Sequence, residues 1–519
     1  MMKNTMLEMS RYAALARQAV TEGIVLLKNE AVLPLASGGR AALFGYAQFH
    51  YYQSGTGSGG LVNTAHVPNL PEVLGGPDGY QLDAEVQARY AAWLAEHPYE
   101  MGTGWAQEPW FQPEMPLDED FVRAAAQRAE TAFIVIGRTA GEDQDNSNTP
   151  GSFLLTEGEE NMLALVCRHF KKSVVLLNVG NIIDMQWVMR YNPGAVAYIW
   201  QGGQEGCRGV LDVLNGTVNP CGKLPDTIAC TPADYPAADH YGADDRNIYA
   251  EDIYVGYRYF ETIPGADKAV NYPFGYGLSY TTFERALVSA EEKQGVIRVR
   301  VNVTNTGKYP GKEVMQLYAQ APQGVLGKAK RVLAAFEKTR LLAQGETQLL
   351  TLEAPVAQLA SYDDLGKIQK SAYVLEKGKY QFYLGTSVRE TEQVFCFTMP
   401  EDTVTEQLTA KLVPTLLAER MLSDGSFEKL PQSEPNDPDY SAIKRVPREE
   451  SDGFSPAVRA LPGHQIWSQP YKKDAHIFME VAEGKITLDE FVTQMTDEEL
   501  AHILGGQPNT GVANTFGFR

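Results

Sequence analysis

Hydrophobic and polar positions follow two different rhythms along this chain, and the change near residue 285 divides it. Before that point, apolar runs of strand length are separated by stretches in which apolar residues recur every three to four positions. Residues 7–27 predict an amphipathic helix running into a short strand, and Arg40 to Tyr46 (RAALFGY) predicts a strand that ends at the glycine-rich SGTGSGG of residues 54–60. Helices are expected over 82–97 and 119–130. The second leads into Thr131 to Gly137, TAFIVIG, whose apolar, β-branched run suits a strand covered on both faces in a mostly parallel sheet. A helix at 157–170, an apolar strand from Val174 to Val179, a short helix at 184–190 and a strand from Ala195 to Trp200 continue the series. Strands alternating with helices predict a layered α/β domain, placed at 1–284.

From 285 to 398 the period shortens to two. Ile297 to Val303 and Tyr380 to Leu384 alternate, with turns at Thr306-Gly307 and Lys377-Gly378, and a small β-sandwich is predicted there. Residues 399–470 are rich in Pro, Glu, Asp and Ser (SEPNDPDYS, VPREESDG) and are expected to form a linker that wraps or wanders rather than packs. Residues 471–519 are set apart as a last, separate segment.

Composition narrows the class without naming the chemistry. At 519 residues the chain has room for about three domains, each with its own core. A formal charge of −20 argues against nucleic acid and anionic membrane surfaces as partners. The first twenty residues scatter charges through MMKNTMLEMSRYAALARQAV, so no signal peptide is read there, and no apolar run approaches the roughly 18 residues of a membrane helix. The five cysteines are odd in number and show no C-x-x-C spacing. Neither a disulfide framework nor a zinc site is expected, no cofactor is implied, and a reduced, cytoplasmic setting fits best.

Candidate chemistry centres on GRTAGEDQD, residues 137–145. Glu142 follows the TAFIVIG strand on a turn of small residues, and ligand chemistry in parallel sheets collects at the carboxyl ends of strands. Asp143 and Asp145 stand beside it in sequence; neighbouring negative charge disfavours ionisation and suits a proton donor. The competing reading is a solvated acidic loop. Glu205, in GGQEG, is the rival carboxylate. SGTGSGG lacks the Lys-Ser/Thr of a phosphate loop and the spacing of a dinucleotide fingerprint, and glycines also serve plain turns. Tyr51, Tyr52, Trp105, Trp110 and Phe111 fall in loops where they could stack on a ligand ring, although such aromatics more often pack on neighbouring elements. Asp184, Trp187 and Tyr257 read as packing or polar-network residues.

Six segments, in one consistent order, resemble glycoside hydrolase family 3, the β-glucosidase family. They are RQAVTEGIVLLKNEAVLPL from Arg17, the loop SGTGSGG, GRTAGEDQD, and WQGGQEGCRGVLDVLNGTVNPCGKLPDT from Trp200; then IYVGYRYFETIPGADKAVNYPFGYGLSYTTF from Ile253 and VTNTGKYPGKEVMQLY from Val303. The resemblance implies an α/β sandwich domain followed by a fibronectin type III-like domain. It further assigns Glu142 the acid/base role and brings Ser58 to the bound sugar. ITLDEFVTQMTDEELAHILGG, from Ile486, and GVANTFGF, from Gly511, resemble the family's first barrel helix and the loop after it, so the order is similar to a permuted arrangement of sandwich, fibronectin-like domain and (β/α)8 barrel. The family's nucleophilic Asp and its sugar-gripping Lys-His pair lie in the barrel, and neither has a counterpart here. The HisPhe at 169–170 falls in a predicted helix. The expectation is thus a retaining, exo-acting β-glucosidase whose barrel is truncated at residue 519, this chain supplying the acid/base and being inactive alone. It would be either a fragment or one subunit of a split enzyme. The implied partners are a β-glucoside and the barrel, in cis or as a second chain, with homo-oligomerisation left open. A β-xylosidase of the same family and a non-catalytic binding module are the alternatives.

Overall fold

The computed structural model describes residues 9–432 and 478–495 together with Leu500, apart from 58–59, 61–63, 65, 104–105, 143–144, 243–245, 411–412 and 415. The described residues up to Gln432 form one compact unit; those from 478 onward belong to a second.

The first layer system opens with helix α1 (Met9–Gly23) and strands β1 (Val25–Asn29) and β2 (Arg40–Phe44). It continues through α2 (Leu70–Leu74), β3 (Gln81–Leu82), α3 (Ala84–Glu96), α4 (Glu119–Arg128), β4 (Thr131–Arg138), α5 (Glu157–His169), β5 (Lys172–Val179), α6 (Trp187–Tyr191), β6 (Ala195–Tyr198) and α7 (Gly206–Leu214). The six strands form one sheet in the order β1-β6-β5-β4-β2-β3. β3, β2, β4, β5 and β6 run parallel, and β1 pairs antiparallel at the edge. Every residue of β4 is buried, because the strand serves two cores at once. Ala132, Ile134 and Ile136 point into one with Val86, Tyr90, Val122 and Met162 from α3, α4 and α5; Phe133 and Val135 point into the other with Leu70, Leu74, Val210 and Leu214 from α2 and α7. Two-sided burial is what makes the sequence continuous in apolar residues rather than alternating. Helix starts follow local chemistry: Asp83 and Asp118 cap α3 and α4 through Val86 and Phe121 amides, and Thr156 and Glu159 form a reciprocal capping box at α5.

The topology locates a crevice. From β2 the chain goes to β3 on one side and then to β4 on the other, so the order reverses between β2 and β4. Ligands of open α/β sheets bind outside the carboxyl ends of the strands at such a reversal.

A short antiparallel pair, β7 (Ile228–Ala229) and β8 (Val270–Tyr272), and the single turn of α8 (Tyr257–Phe260) lead into the second layer system. Strands β9 (Phe283–Lys293), β10 (Val296–Asn305) and β13 (Thr347–Pro355) form a three-stranded sheet facing the four-stranded sheet of β11 (Val314–Gln320), β12 (Val332–Lys338), β16 (Gly378–Gly385) and β17 (Thr391–Met399). Ile297, Val299, Val301 and Val303 alternate inward onto Leu317, Phe382 and Leu384. This sandwich meets the α/β layers through ion pairs: Glu22 with Lys312 at 2.5 Å and Lys338 at 2.8 Å, and Lys223 with Glu313 at 2.9 Å.

The linker expectation is corrected at its start. β14 (Ser361–Asp363) and β15 (Ala372–Leu375) are joined in a small sheet by β18 (Thr403–Gln407), and β19 (Glu419–Met421) pairs with β20 (Phe427–Lys429). Met421 is buried and its amide donates to Ala250 O at 2.7 Å. Backbone pairing, which composition does not report, holds residues up to 432; residues 433–470 lie outside the described set. In the second unit, α9 (Phe478–Ala482) and α10 (Leu488–Thr493) are short helices, with Thr487 and Glu490 capping α10. The segment resembling the barrel's first loop, 511–518, lies outside the described residues.

Candidate active site

Two loops meet at the reversal. The one after β2 is anchored deep in the sheet: Asn178, fully buried on β5, accepts from the Tyr52 amide at 2.7 Å and donates to the carbonyls of Tyr52 and Trp200. Gly203 N donates to Gln53 O at 2.8 Å, so the loops after β2 and β6 are tied together. Beyond this anchor the chain runs alongside the loop after β4. Thr56 N donates to Ala140 O at 2.8 Å, and Thr56 bridges to Gly141 in parallel fashion. Both contacts need bare glycine: a Cβ added to Gly55 would lie 2.5 Å from Ala140 O, and one added to Gly141 would lie 2.3 Å from Thr56 Oγ1.

Glu142 follows at once, exposed at the mouth. Gly57, at φ +72°, lies flat against it; a Cβ there would stand 2.2 Å from Glu142 Oε2. The glycine-rich loop and the acidic loop, separate candidates in the sequence, are therefore one structure. Ser58 and Asp143 lie outside the described residues; Asp145 is exposed on the same loop.

The base of the acidic loop is unusually well held. Arg138, the last residue of β4, is fully buried, and each of its five N–H groups has an acceptor: Ser152 O for Nε, Gly137 O and Glu159 Oε1 for Nη1, Leu154 O and Glu159 Oε2 for Nη2. Burial alone would lower the Arg138 pKa, but the Glu159 carboxylate outweighs it and holds the group above its ordinary value. Phe111 faces the guanidinium from 5.5 Å. Nearby, both carboxyl oxygens of Glu114 accept from the Tyr46 amide; burial, reinforced by Glu159, pushes this carboxyl up to about 8. His50 stacks on Tyr46 and meets Tyr99 at a tilt, and its burial lowers its pKa, favouring the neutral ring.

The other candidates take structural places. Glu205 is buried in a turn before α7 and pairs with Arg208 at 2.8 Å. Tyr51 is buried, its hydroxyl accepting from Gly202 N at 2.8 Å, and Tyr52 is buried below the crevice, so neither offers a face to a sugar. Trp110 receives the Thr139 amide at its carbonyl, Trp105 lies outside the described residues, and His169 ends α5. Asp184 O accepts from Trp187 Nε1, and the Tyr257 hydroxyl accepts from Leu333 N, in keeping with network roles. Among the described residues no group of His, Cys, Asp and Glu could hold a metal, and no helix is long and apolar enough to cross a membrane. What the arrangement offers is a solvent-reached carboxyl, that of Glu142, at a sheet reversal, able to give and take a proton.

Comparison with known proteins agrees with this reading of the fold. Residues 24–280 match the glycosyl hydrolase family 3 C-terminal domain, and residues 313–388 match a fibronectin type III-like domain. The chain is 45% identical over 505 residues to a beta-glucosidase of Ruminococcus albus, covering 96% of this chain and 51% of that one. It is 41% identical to beta-glucosidase A of Butyrivibrio fibrisolvens, covering 98% and 66%. Among solved structures, a beta-glucosidase from Paenibacillus barengoltzii superposes with a TM-score of 0.79 at 43% identity over 96% of this chain and 54% of its own. Beta-glucosidase 3B from Thermotoga neapolitana, in complex with alpha-D-glucose, gives 0.70 at 34% over 77% and 55%. The chain thus spans between about half and two thirds of the length of these relatives.

Proposed function

Because the chain belongs to glycosyl hydrolase family 3, with the family's C-terminal domain followed by a fibronectin type III-like domain, we propose that it supplies the acid/base half of a retaining, exo-acting β-glucosidase. Glu142 is the acid/base, and Ser58, on the glycine-rich loop beside it, contacts the sugar. The observation that carries this reading is the placement of Glu142: an exposed carboxyl at the reversal between β2 and β4, seated on Gly57.

In a retaining glycosidase the acid protonates the leaving oxygen while a second carboxylate, roughly 5–5.5 Å away, attacks the anomeric carbon; the first group then acts as base toward water. The nucleophile is assigned to the part of the longer relatives that this chain does not span. It is contributed in cis or by a second chain, and the 519 residues alone turn over almost nothing. A pocket closed between two domains encloses one terminal sugar and leaves the aglycone at the mouth, which favours release of single residues from a non-reducing end. Five cysteines without disulfides fit a reducing, cytoplasmic setting.

The test is complementation. Adding a family barrel, fused or as a second chain, should raise aryl β-glucoside hydrolysis from background by orders of magnitude, with β-glucose appearing first in a proton NMR time course. First release of the α-anomer would overturn the retaining mechanism, and full activity of the 519-residue chain alone would overturn the division of labour.

A further inference from the structure

The loop carrying Glu142 leaves β4 at Arg138 and returns to α5 near Thr156. Its near arm, through Gly141, lies on Thr56. Its far arm is a knot of its own: Ser147 N donates to Ser152 Oγ at 3.0 Å, Ser152 Oγ donates to Asn146 Oδ1 at 2.6 Å, and Leu154 N donates to Thr149 O at 3.1 Å. This knot is tied to the segment after β5 by Asp184 N donating to Phe153 O at 2.9 Å and Asn146 Nδ2 donating to Ile182 O at 3.3 Å, and to β4 by the Arg138 side chain. Arg138 puts Nε on Ser152 O at 3.2 Å and Nη2 on Leu154 O at 3.3 Å, fourteen and sixteen residues ahead, while its own strand carbonyl neighbour, Gly137 O, takes Nη1 at 2.8 Å. Glu159, which also accepts from Thr156 N at 2.8 Å in the capping box of α5, holds the guanidinium fork from the helix side.

We propose that Arg138 is a positioning residue for Glu142: its guanidinium, locked by Glu159, clasps both ends of the acidic loop and thereby sets where the carboxyl stands over the crevice. This rests on the acid/base reading of Glu142. The geometry explains why the side chain is arginine. A planar fork with five donors can serve three carbonyls and one carboxylate at once, whereas a lysine ammonium keeps the charge but has three donors radiating from one atom and cannot span the same acceptors. It also explains why so costly a group as a buried cation is placed at the end of an otherwise apolar strand: all five of its N–H groups are used, one on the strand carbonyl of Gly137 and the other four on this loop and its exit helix.

The test uses Arg138→Lys and Glu159→Gln in the 519-residue chain, followed by hydrogen exchange, and in the barrel-complemented enzyme, followed by kinetics. The clasp predicts faster exchange confined to residues 139–154, with β4 and β5 still protected. It also predicts a fall in kcat on the order of 100-fold for substrates with poor leaving groups, with KM and the rate on activated aryl glucosides nearly unchanged, as expected when a catalytic group is misplaced by about 1 Å. Glu159→Gln, which keeps the shape and one acceptor oxygen, should show the same pattern more weakly and stands in if Arg138→Lys does not fold. Unchanged exchange and unchanged leaving-group dependence in both variants would overturn the clasp. Faster loop exchange with no leaving-group effect, in an enzyme equally indifferent to Glu142→Ala, would instead overturn the acid/base reading and leave the clasp as a loop anchor.

Discussion

Gly57 lies so close to Glu142 that a single methyl group on it would stand 2.2 Å from the carboxylate oxygen Oε2 and 2.8 Å from Cβ. The glycine-rich loop is therefore a seat for the acidic side chain, and the absence of a side chain at 57 is a requirement of the site. Thr56 and Gly141 keep the two loops in register beneath that contact.

Gly57→Ala should disturb the seat without unfolding the protein. The residue is at φ +72°, where a Cβ is strained, and the new methyl must push Glu142 aside. In the complemented enzyme kcat on alkyl glucosides should fall on the order of 100-fold, with a small loss of thermal stability. Thermal melts and paired kinetics check both parts; a wild-type kcat would show that Glu142 is free to sit elsewhere.

Glu114 should make the protein less stable as pH rises. Its carboxyl is pushed up to about 8 from an ordinary 4.5, by burial first and by Glu159 second, so the folded chain keeps a proton that the unfolded chain has released. Between those two values stability falls with increasing pH, and it levels off above. Glu114→Gln removes the titration. Its melting temperature should vary less between pH 5 and 8 than the parent's, and it should gain on the parent most at pH 8.

Glu22 should act in the opposite sense. Burial alone would raise its pKa, but Lys312 and Lys338 outweigh burial and hold the carboxylate down to about 2. Its contribution to joining sandwich and α/β layers is complete above the unfolded value and is lost as pH falls from about 4.5 toward 2. Glu22→Gln should cost on the order of 1 kcal/mol at pH 7, a figure kept small by solvent screening. The difference from wild type in denaturant midpoint should close near pH 2.

Asp363 organises a turn by itself. Its buried carboxylate accepts from the amides of Gly366, Lys367, Ile368 and Gln369 at 2.7–3.0 Å, and these bonds outweigh burial to keep its pKa low. Asp363→Ala should lower stability by about 2–3 kcal/mol, the scale for charge-assisted bonds whose donors are left unpaired. Asp363→Asn, with one acceptor oxygen, should fall between; urea melts of both decide it.

What the sequence made legible follows from locality. TAFIVIG and VVLLNV announced central strands because burial on both faces writes itself into consecutive residues. Glu142 could be placed because a carboxylate after such a strand stands at a sheet end. Arg138 could not: its burial depends on Glu159, twenty-one residues on, and on carbonyls that converge only in the fold. Gly57 looked like turn punctuation, since glycine chosen for close approach and glycine chosen for a turn are the same letter. The strands at 403–407 and 419–429 were hidden by the acidic, proline-rich composition that surrounds them.

The most direct test of the central assignment is Glu142→Ala in the barrel-complemented enzyme, assayed with and without azide. If Glu142 is the acid/base, turnover of cellobiose-like substrates collapses while aryl glucosides with good leaving groups still form the glycosyl-enzyme. Azide, a small nucleophile needing no base, then restores their turnover with β-glucosyl azide as product. Undiminished hydrolysis of cellobiose-like substrates by the variant would contradict the assignment.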